Sequence, residues 1–333
     1  MLRRIPHTLL FTLVALLVVA AWPAVQSAVA QDDPAQPAQP TQPAQPDDPP
    51  AVPIEPDSKT VTLGHADPPV GASMKTEQKR NLDLVIEVLM GQQVAQTMKQ
   101  ADVEEYVRTI EITKVGEGGH VTQVRVKYDS HTSKRTQNGR GESRPAAHVG
   151  KTYLATVTAD GKIVVTYDGA EGTPGAEEAA VIEGDAKHVV SGGFSELLPK
   201  RPLVIGEVIS PDLKKATELM GTPAEIKLVE FTLTPVTVKE INGRQCLLMT
   251  SHMKLEARPA RPALVITFVQ DGAQWLDMET GAQLGSEMTG PVSVTGSQKA
   301  PDGSTMEFRG EGTQTASTKN TLTMPEKTDD GDE

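Results

Sequence analysis

The stretch Val121-Thr-Gln-Val-Arg-Val-Lys-Tyr128 decides the fold class. Val124, Val126 and Tyr128 alternate with polar residues at period two, the pattern of a strand with one buried and one solvated face. Upstream, Tyr106 to Val115 sets Tyr106, Arg108, Ile110 and Ile112 on one face. Gly116 to Gly119 lies between the two stretches and predicts a hairpin with a longer glycine loop. Downstream, Tyr153 to Thr158 and Lys162 to Tyr167 flank Asp160-Gly161, a pair that tolerates the positive φ of a tight turn. The same turn signal recurs at Asn242-Gly243, Asp271-Gly272, Thr280-Gly281 and Asp302-Gly303. Between these turns run Ile226 to Val238, Gln245 to Leu255, Leu264 to Val269 and Met306 to Gly310. Hairpin spacing without long intervening helices predicts antiparallel meanders.

The middle of the chain breaks the pattern. Ala176 to Ser191 reads as a helix with Glu177 and Glu178 near its start, stopped by Gly192-Gly193. Ser210-Pro211-Asp212 reads as an N-cap with proline at N1, leading a helix from Leu213 to Met220 that Gly221 closes. Leu197 to Gly206, between them, reads as a short apolar strand. Leu82 to Met98 fits helix or strand, and its Val and Ile content leans to strand. The expected fold is therefore mainly β, with two antiparallel meanders in a half-barrel or sandwich joined by a short helical segment. The body spans residues 58–324, with sub-lobes at 58–170 and 222–324 and the helical middle at 171–221.

Both ends are different material. Arg3 and Arg4 precede an apolar run from Leu9 to Ala21, and Ala28-Val29-Ala30 offers a small-x-small cleavage site before Gln31. This is the pattern of an export signal, here without a cysteine for a lipid anchor. Residues 31–57 alternate Pro, Gln, Ala and Asp, which builds neither helix nor ladder and predicts an extended spacer. Residues 325–333 form an acidic tail.

Three segments occur in order: Gly150-Lys-Thr-Tyr-Leu-Ala-Thr-Val-Thr-Ala-Asp-Gly161, Leu197-Leu-Pro-Lys-Arg-Pro-Leu-Val-Ile-Gly206 and Asp277-Met-Glu-Thr-Gly281. Together they resemble an exported bacterial family of unknown function that pairs a "G-x-x-f-x-v-x-x-x-d-G-x-v" hairpin with an "l-P-x-x-P-v-x-x-G-d" strand and a "d-x-x-t-G" turn. The resemblance covers roughly Leu82 to Leu322 and departs at Glu207-Val208, where the family commonly has an acidic-aromatic pair. It implies export and a β-rich fold, and it carries no catalytic residues over. More distantly, two meanders around helices are similar to open half-barrels that carry lipids in bacterial envelopes, an analogy of fold from which function does not follow.

Composition excludes several functions. The 333 residues hold 32 Lys+Arg against 44 Asp+Glu, a formal charge of -12, which becomes -14 once Arg3 and Arg4 leave with the signal. No basic excess is available to neutralise nucleic-acid phosphates. Aromatics at 3% argue against a platform for stacking single strands. Only the first 30 residues hold a run apolar enough to consider for a membrane, so no integral span is expected after cleavage. The lone Cys246 excludes a disulfide within the chain and a thiolate-rich zinc site; it reads as a small buried hydrophobe whose replacement by serine is harmless.

No catalytic constellation is evident. His65, His120, His131, His148, His188 and His252 show no ligand-type spacing and read as unpaired surface or loop side chains. The acidic pairs Glu104-Glu105, Glu177-Glu178 and Asp47-Asp48 read as solvated faces. No Walker loop, dinucleotide fingerprint or GxSxG elbow occurs. No metal, cofactor or catalytic residue is therefore assigned. Met249, Met253, Met278, Met288 and Met306 enrich the C-terminal meander, as core filling or as an adaptable apolar lining. The expectation is a periplasmic or secreted, non-catalytic binding or carrier module of the cell envelope, its ligand a lipid or other apolar molecule. A structural or interaction protein binding an envelope partner is the alternative, and a secreted hydrolase without a readable motif comes third.

Overall fold

A computed structural model describes residues 60–64, 68–220, 226–259, 263–300 and 302–325. The cleavage pattern at Ala28, Ala30 and Gln31, the spacer and the acidic tail beyond residue 325 lie outside the described residues.

In chain order the strands are β1 (Thr60–Val61), β2 (Ser73–Met90), β3 (Gln93–Val115), β4 (Val121–Gln137), β5 (Arg140–Pro145), β6 (Thr152–Val157) and β7 (Ile163–Tyr167). Helix α1 (Ala176–Val190), a 3-10 turn (Phe194–Leu197), β8 (Leu203–Val204) and helix α2 (Leu213–Leu219) follow. The second meander is β9 (Ile226–Ile241), β10 (Arg244–Ala257), β11 (Leu264–Asp277), β12 (Gln283–Lys299) and β13 (Thr305–Thr323). All but β1 and β8 belong to one 11-stranded sheet in the order β7-β6-β4-β3-β2-β13-β12-β11-β10-β9, with β5 also on β4. The mainly β, antiparallel expectation holds. The meanders meet directly, along the ladder from Ser73↔Thr323 to Met90↔Met306, as well as through the helical middle. The end strands β7 and β9 do not pair, so the sheet is not closed into a barrel.

Several local expectations need correction. Leu82 to Met98 is strand, but in two pieces, because Gly91 takes a positive φ of 65° and reverses the chain between β2 and β3. Asp271 and Gly272 make no turn: they lie inside β11, opposite Thr289 and Met288. Glycine serves there as clearance, since a Cβ at position 272 would stand 2.1 Å from the Glu287 carbonyl oxygen. Asn242 and Gly243, with φ of 52° and 77°, do join β9 to β10. Gly161, Gly281 and Gly303 also have positive φ at strand reversals. The expected strand over Leu197 to Gly206 shrinks to Leu203–Val204. The N-cap of α2 is Asp212 and not Ser210: its carboxylate accepts from the Lys215 amide at 2.7 Å.

Alternation assigns the faces. Even-numbered residues of β2, β11, β12 and β13 point inward and their odd neighbours outward, as the burial of Leu82, Leu84, Ile86 and Val88 along β2 illustrates. The inner face carries three apolar clusters. In the first, Leu84, Ile86, Met98, Phe268, Val294 and Phe308 are buried together with neighbours from β2, β3, β10, β11, β12 and β13. Every buried residue of that cluster comes from the sheet, as a sheet curved into an open half-barrel allows. Bulges between Val88 and Leu89, Val107 and Arg108, Leu248 and Met249, and Trp275 and Leu276 supply local bending. A second cluster packs α2, Leu197, Leu203 and Ile209 over β9 to β11. The third packs Ile182 and Ala186 of α1 over Val124, Val126, Tyr128 and Tyr153.

Candidate functional site

Between these clusters the inner face turns polar. Register aligns Gln274, Ser286, Thr318, Gln78, Tyr106 and His131 in one row across β11, β12, β13, β2, β3 and β4. The next row holds Ser251, Gly272, Met288, Ala316, Arg80 and Glu104. Adjacent strands are ~4.8 Å apart, so each row crosses about 25 Å of sheet. The flanks of this band are closed: Ser251, Gln270, Gln274 and His131 are buried. Its centre is half-buried, at Ser286, Met288, Ala316, Thr318, Gln78 and Arg80. The result is a polar trough, open in the middle and walled by apolar clusters. Small side chains on β12 and β13 leave room in it, and Ser251 donates to the Met288 sulfur at 3.3 Å.

At the β3–β4 end the trough runs into a buried ionisable array. Glu104 accepts from Arg80 and contacts His131 Nε2 at 3.1 Å. His131 Nδ1 lies 2.7 Å from His148 Nε2. His131 reaches this position because the bulge beside Arg108 shifts the inward parity of β4 from Tyr128 to His131. His148 comes from the loop after β5 and lies tilted against Tyr128, with ring centroids 4.3 Å apart. With Glu104 taking the His131 Nε2 proton, a neutral His131 accepts at Nδ1 and His148 donates from Nε2. The alternative is an imidazolium at His131 that donates to both neighbours.

Burial, and then the neighbouring His131, push the His148 imidazole down to about 4 from its ordinary 6.5. Burial alone would raise Glu104, but its bonds to His131 and Arg80 outweigh it and hold the carboxyl below its usual range. Burial lifts the phenols of Tyr106 and Tyr128. Tyr128 donates to Asp185 of α1, which also pairs with Arg108; Tyr106 donates to Gln78. Asp102 is the exception among the carboxylates: burial dominates over Gln100 and Arg135 and raises it.

The structure thus moves residues that read as surface side chains into the interior. His131 and His148 form a buried pair, and Glu104 serves them, while Glu105 pairs outward with Lys79 at 2.7 Å. Glu178 is no solvated acid: it accepts from Lys151 at 2.8 Å, and from Tyr153 and Tyr167. His252 is partly exposed beside Asp271 and Glu230. Cys246 is fully buried, and burial raises its thiol. Met249 and Met306 are buried in the core, whereas Met288 is half-exposed in the trough. The turn residues Asp160, Gly161, Asn242, Gly243, Thr280 and Gly281 lie at strand ends, apart from the polar band. Among the described residues no three His, Cys, Asp or Glu side chains are grouped to hold a metal ion. A separate hollow of about 680 Å³ beside Asn242, Arg244 and Asp277 is shaped by the β9–β10 turn, and its ion pair, Arg244 to Asp277 at 2.9 Å, is satisfied.

No protein-family profile matches the chain, so the likeness to an exported family rests on the three quoted segments alone. No curated protein matches either. Among solved structures, one of lipovitellin, concerned with lipid–protein interactions, aligns with 79% of this chain at 9% identity and a TM-score of 0.39. The chain spans 26% of that protein's length. An outer membrane channel from Pseudomonas putida F1 aligns at 9% identity and a TM-score of 0.18, covering 76% of this chain and 96% of its own. Salmonella typhi OmpF in complex with daunomycin gives 8% identity and 0.17, over 74% and 97% of the two chains. At such scores the functional reading must come from the site. No helix among the described residues is long and apolar enough to cross a membrane.

Proposed function

We propose that this protein is an exported, non-catalytic binding or carrier module of the cell envelope, and that its ligand seats in the trough of the curved sheet. The observation that carries this reading is the banding of the inner face. A half-buried row of hydroxyl, amide and guanidinium groups lies between apolar clusters in a sheet that leaves one side of the hollow open. A protein that needed only stability would fill such a face with aliphatic side chains, because partly buried polar groups contribute little unless they are paired. The same banding sharpens the ligand class expected from the sequence. A wholly apolar molecule leaves Thr318 and Ser286 without partners, so the ligand has a polar part as well as an apolar one. Export rests on the Arg3-to-Ala30 pattern.

The test is expression with the native leader in a bacterial host, followed by detergent-free purification from the periplasmic fraction. N-terminal sequencing should start at Gln31. Native mass spectrometry should show a co-purifying small molecule that organic or aqueous extraction releases. A protein that is retained in the membrane with Met1 intact, or that stays unliganded after incubation with envelope extract, would sink the proposal.

A further inference from the structure

We infer that Asn320, Thr76 and Arg108 form a head-group subsite for a neutral, hydroxyl-bearing group such as a sugar; this deepens the carrier reading above and rests on it. The three residues are directly opposed on β13, β2 and β3, so they lie in one row on the inner face, the outer two about 10 Å apart. Asn320 donates from its amide nitrogen to the Gln283 carbonyl at 2.7 Å, and its Oδ1 is buried without a partner among the described residues. Thr76 is 4% exposed. Arg108 pairs with Asp185 and lies over the Tyr106 ring, 5.2 Å from its centroid, while its Nε is buried and has no acceptor among the described residues. Buried side-chain atoms left in this state are rare in native proteins. Here an unfilled acceptor and an unfilled donor flank one hydroxyl in a single row.

The signs of these groups select the ligand. A carboxylate or phosphate offers acceptors only and cannot serve Asn320 Oδ1. An ammonium offers donors only and cannot serve Arg108 Nε. A hydroxyl is both donor and acceptor, so a head group bearing several of them can serve the acceptor at one end of the row and the donor at the other. Charge agrees, because Asp185 already neutralises the guanidinium and leaves no attraction for an anion. The row beyond is apolar, with Leu322, Met74 and Ile110 opposed across the same strands, so a hydrocarbon tail leaving the head group meets matching surface. The predicted occupant is a sugar head on an apolar chain.

The experiment is calorimetric titration of the mature chain with dodecyl maltoside and with dodecylphosphocholine, each below its micelle concentration. The expected result is at least about 10-fold tighter binding of the maltoside, the effect of roughly one well-placed hydrogen-bonded group. The nearly isosteric Thr76→Val and the truncation Asn320→Ala should each weaken the maltoside by about 5- to 10-fold and leave the phosphocholine unchanged. Gln298→Leu, which removes another unpartnered buried amide outside this row, should change neither. Equal binding of the two probes by the unmodified chain would overturn the subsite while leaving the carrier reading intact. Failure of the unmodified chain to bind either probe would overturn both. Because head-group selectivity is read on the unmodified chain, the inference stays testable even if a variant misfolds.

Discussion

Acid should destabilise this fold through one identifiable side chain. His148 is 5% exposed, and its folded-state imidazole titrates near 4 against 6.5 in the open chain. As pH falls, the unfolded chain takes up this proton first, so the folded state loses ground across the whole interval from 6.5 to 4. Stability is fully present above that window, and no further loss comes from this group below it. At about 1.36 kcal/mol per pH unit, the interval from 6.5 to about 4 corresponds to a loss of about 3 kcal/mol. That is a large part of the ~5–15 kcal/mol that holds a typical domain together. The physical source is first the burial of a charged imidazolium and then the neighbouring His131; the attraction of Glu178 and the weaker repulsion of Lys151 do not reverse the shift. Urea denaturation at pH 7, 6, 5 and 4.5 should therefore be run on the unmodified chain and on His148→Gln, whose amide can still donate toward His131 but does not titrate. Carboxylate contributions from Glu104 and Asp277 are common to both and cancel in the difference. The difference curve should fall with pH by about 3 kcal/mol over the window. Parallel curves, or an imidazole titration by NMR near 6.5 for His148, would refute the reasoning.

Three further perturbations have clear expected outcomes. Gly272→Ala places a methyl 2.1 Å from the Glu287 carbonyl oxygen inside the β11–β12 ladder and should lower the urea midpoint by an amount equivalent to about 1–3 kcal/mol or more; no change would show that the strands can separate there freely. Asp277→Ala removes the buried carboxylate that binds Arg244 at 2.9 Å and accepts from the Thr280 amide and hydroxyl at 2.8 Å, so unfolding should become easier by about 3–5 kcal/mol. Cys246→Ser keeps a donor for the Arg244 carbonyl, which the thiol contacts at 3.5 Å, and should shift stability by only about 1 kcal/mol; ligand binding, measured as above, should not change.

Much of the strand pattern was legible because it is local. Val124, Val126 and Tyr128 alternate into a buried face whatever the rest of the chain does, and Asn242-Gly243 needs only its own backbone preference to turn. Asp271-Gly272 misled because glycine has two uses that look the same in sequence: positive φ in a turn, and clearance where two backbones approach closely. The buried histidines were hidden for another reason. A period-two count carried forward from Tyr128 puts His131 on the outer face, and the bulge opposite Val107 and Arg108 reverses that parity without leaving a mark in the sequence. A signal for Glu104 did exist, because the even-numbered face of Tyr106, Arg108 and Ile110 extends back through it.

By itself, then, the sequence determined the export pattern, the antiparallel character and most of the reversals, because each depends on residues within one strand or one turn. Only the tertiary structure decided that the two meanders share one open sheet through β2 and β13, and that Gln78, Thr318 and Ser286 form one row. It also decided that Glu104, His131 and His148 meet in the interior. These relations depend on register between strand positions far apart in the chain, 240 apart for Gln78 and Thr318. Cross-strand register is set by the summed packing of whole faces, which no single stretch of sequence contains.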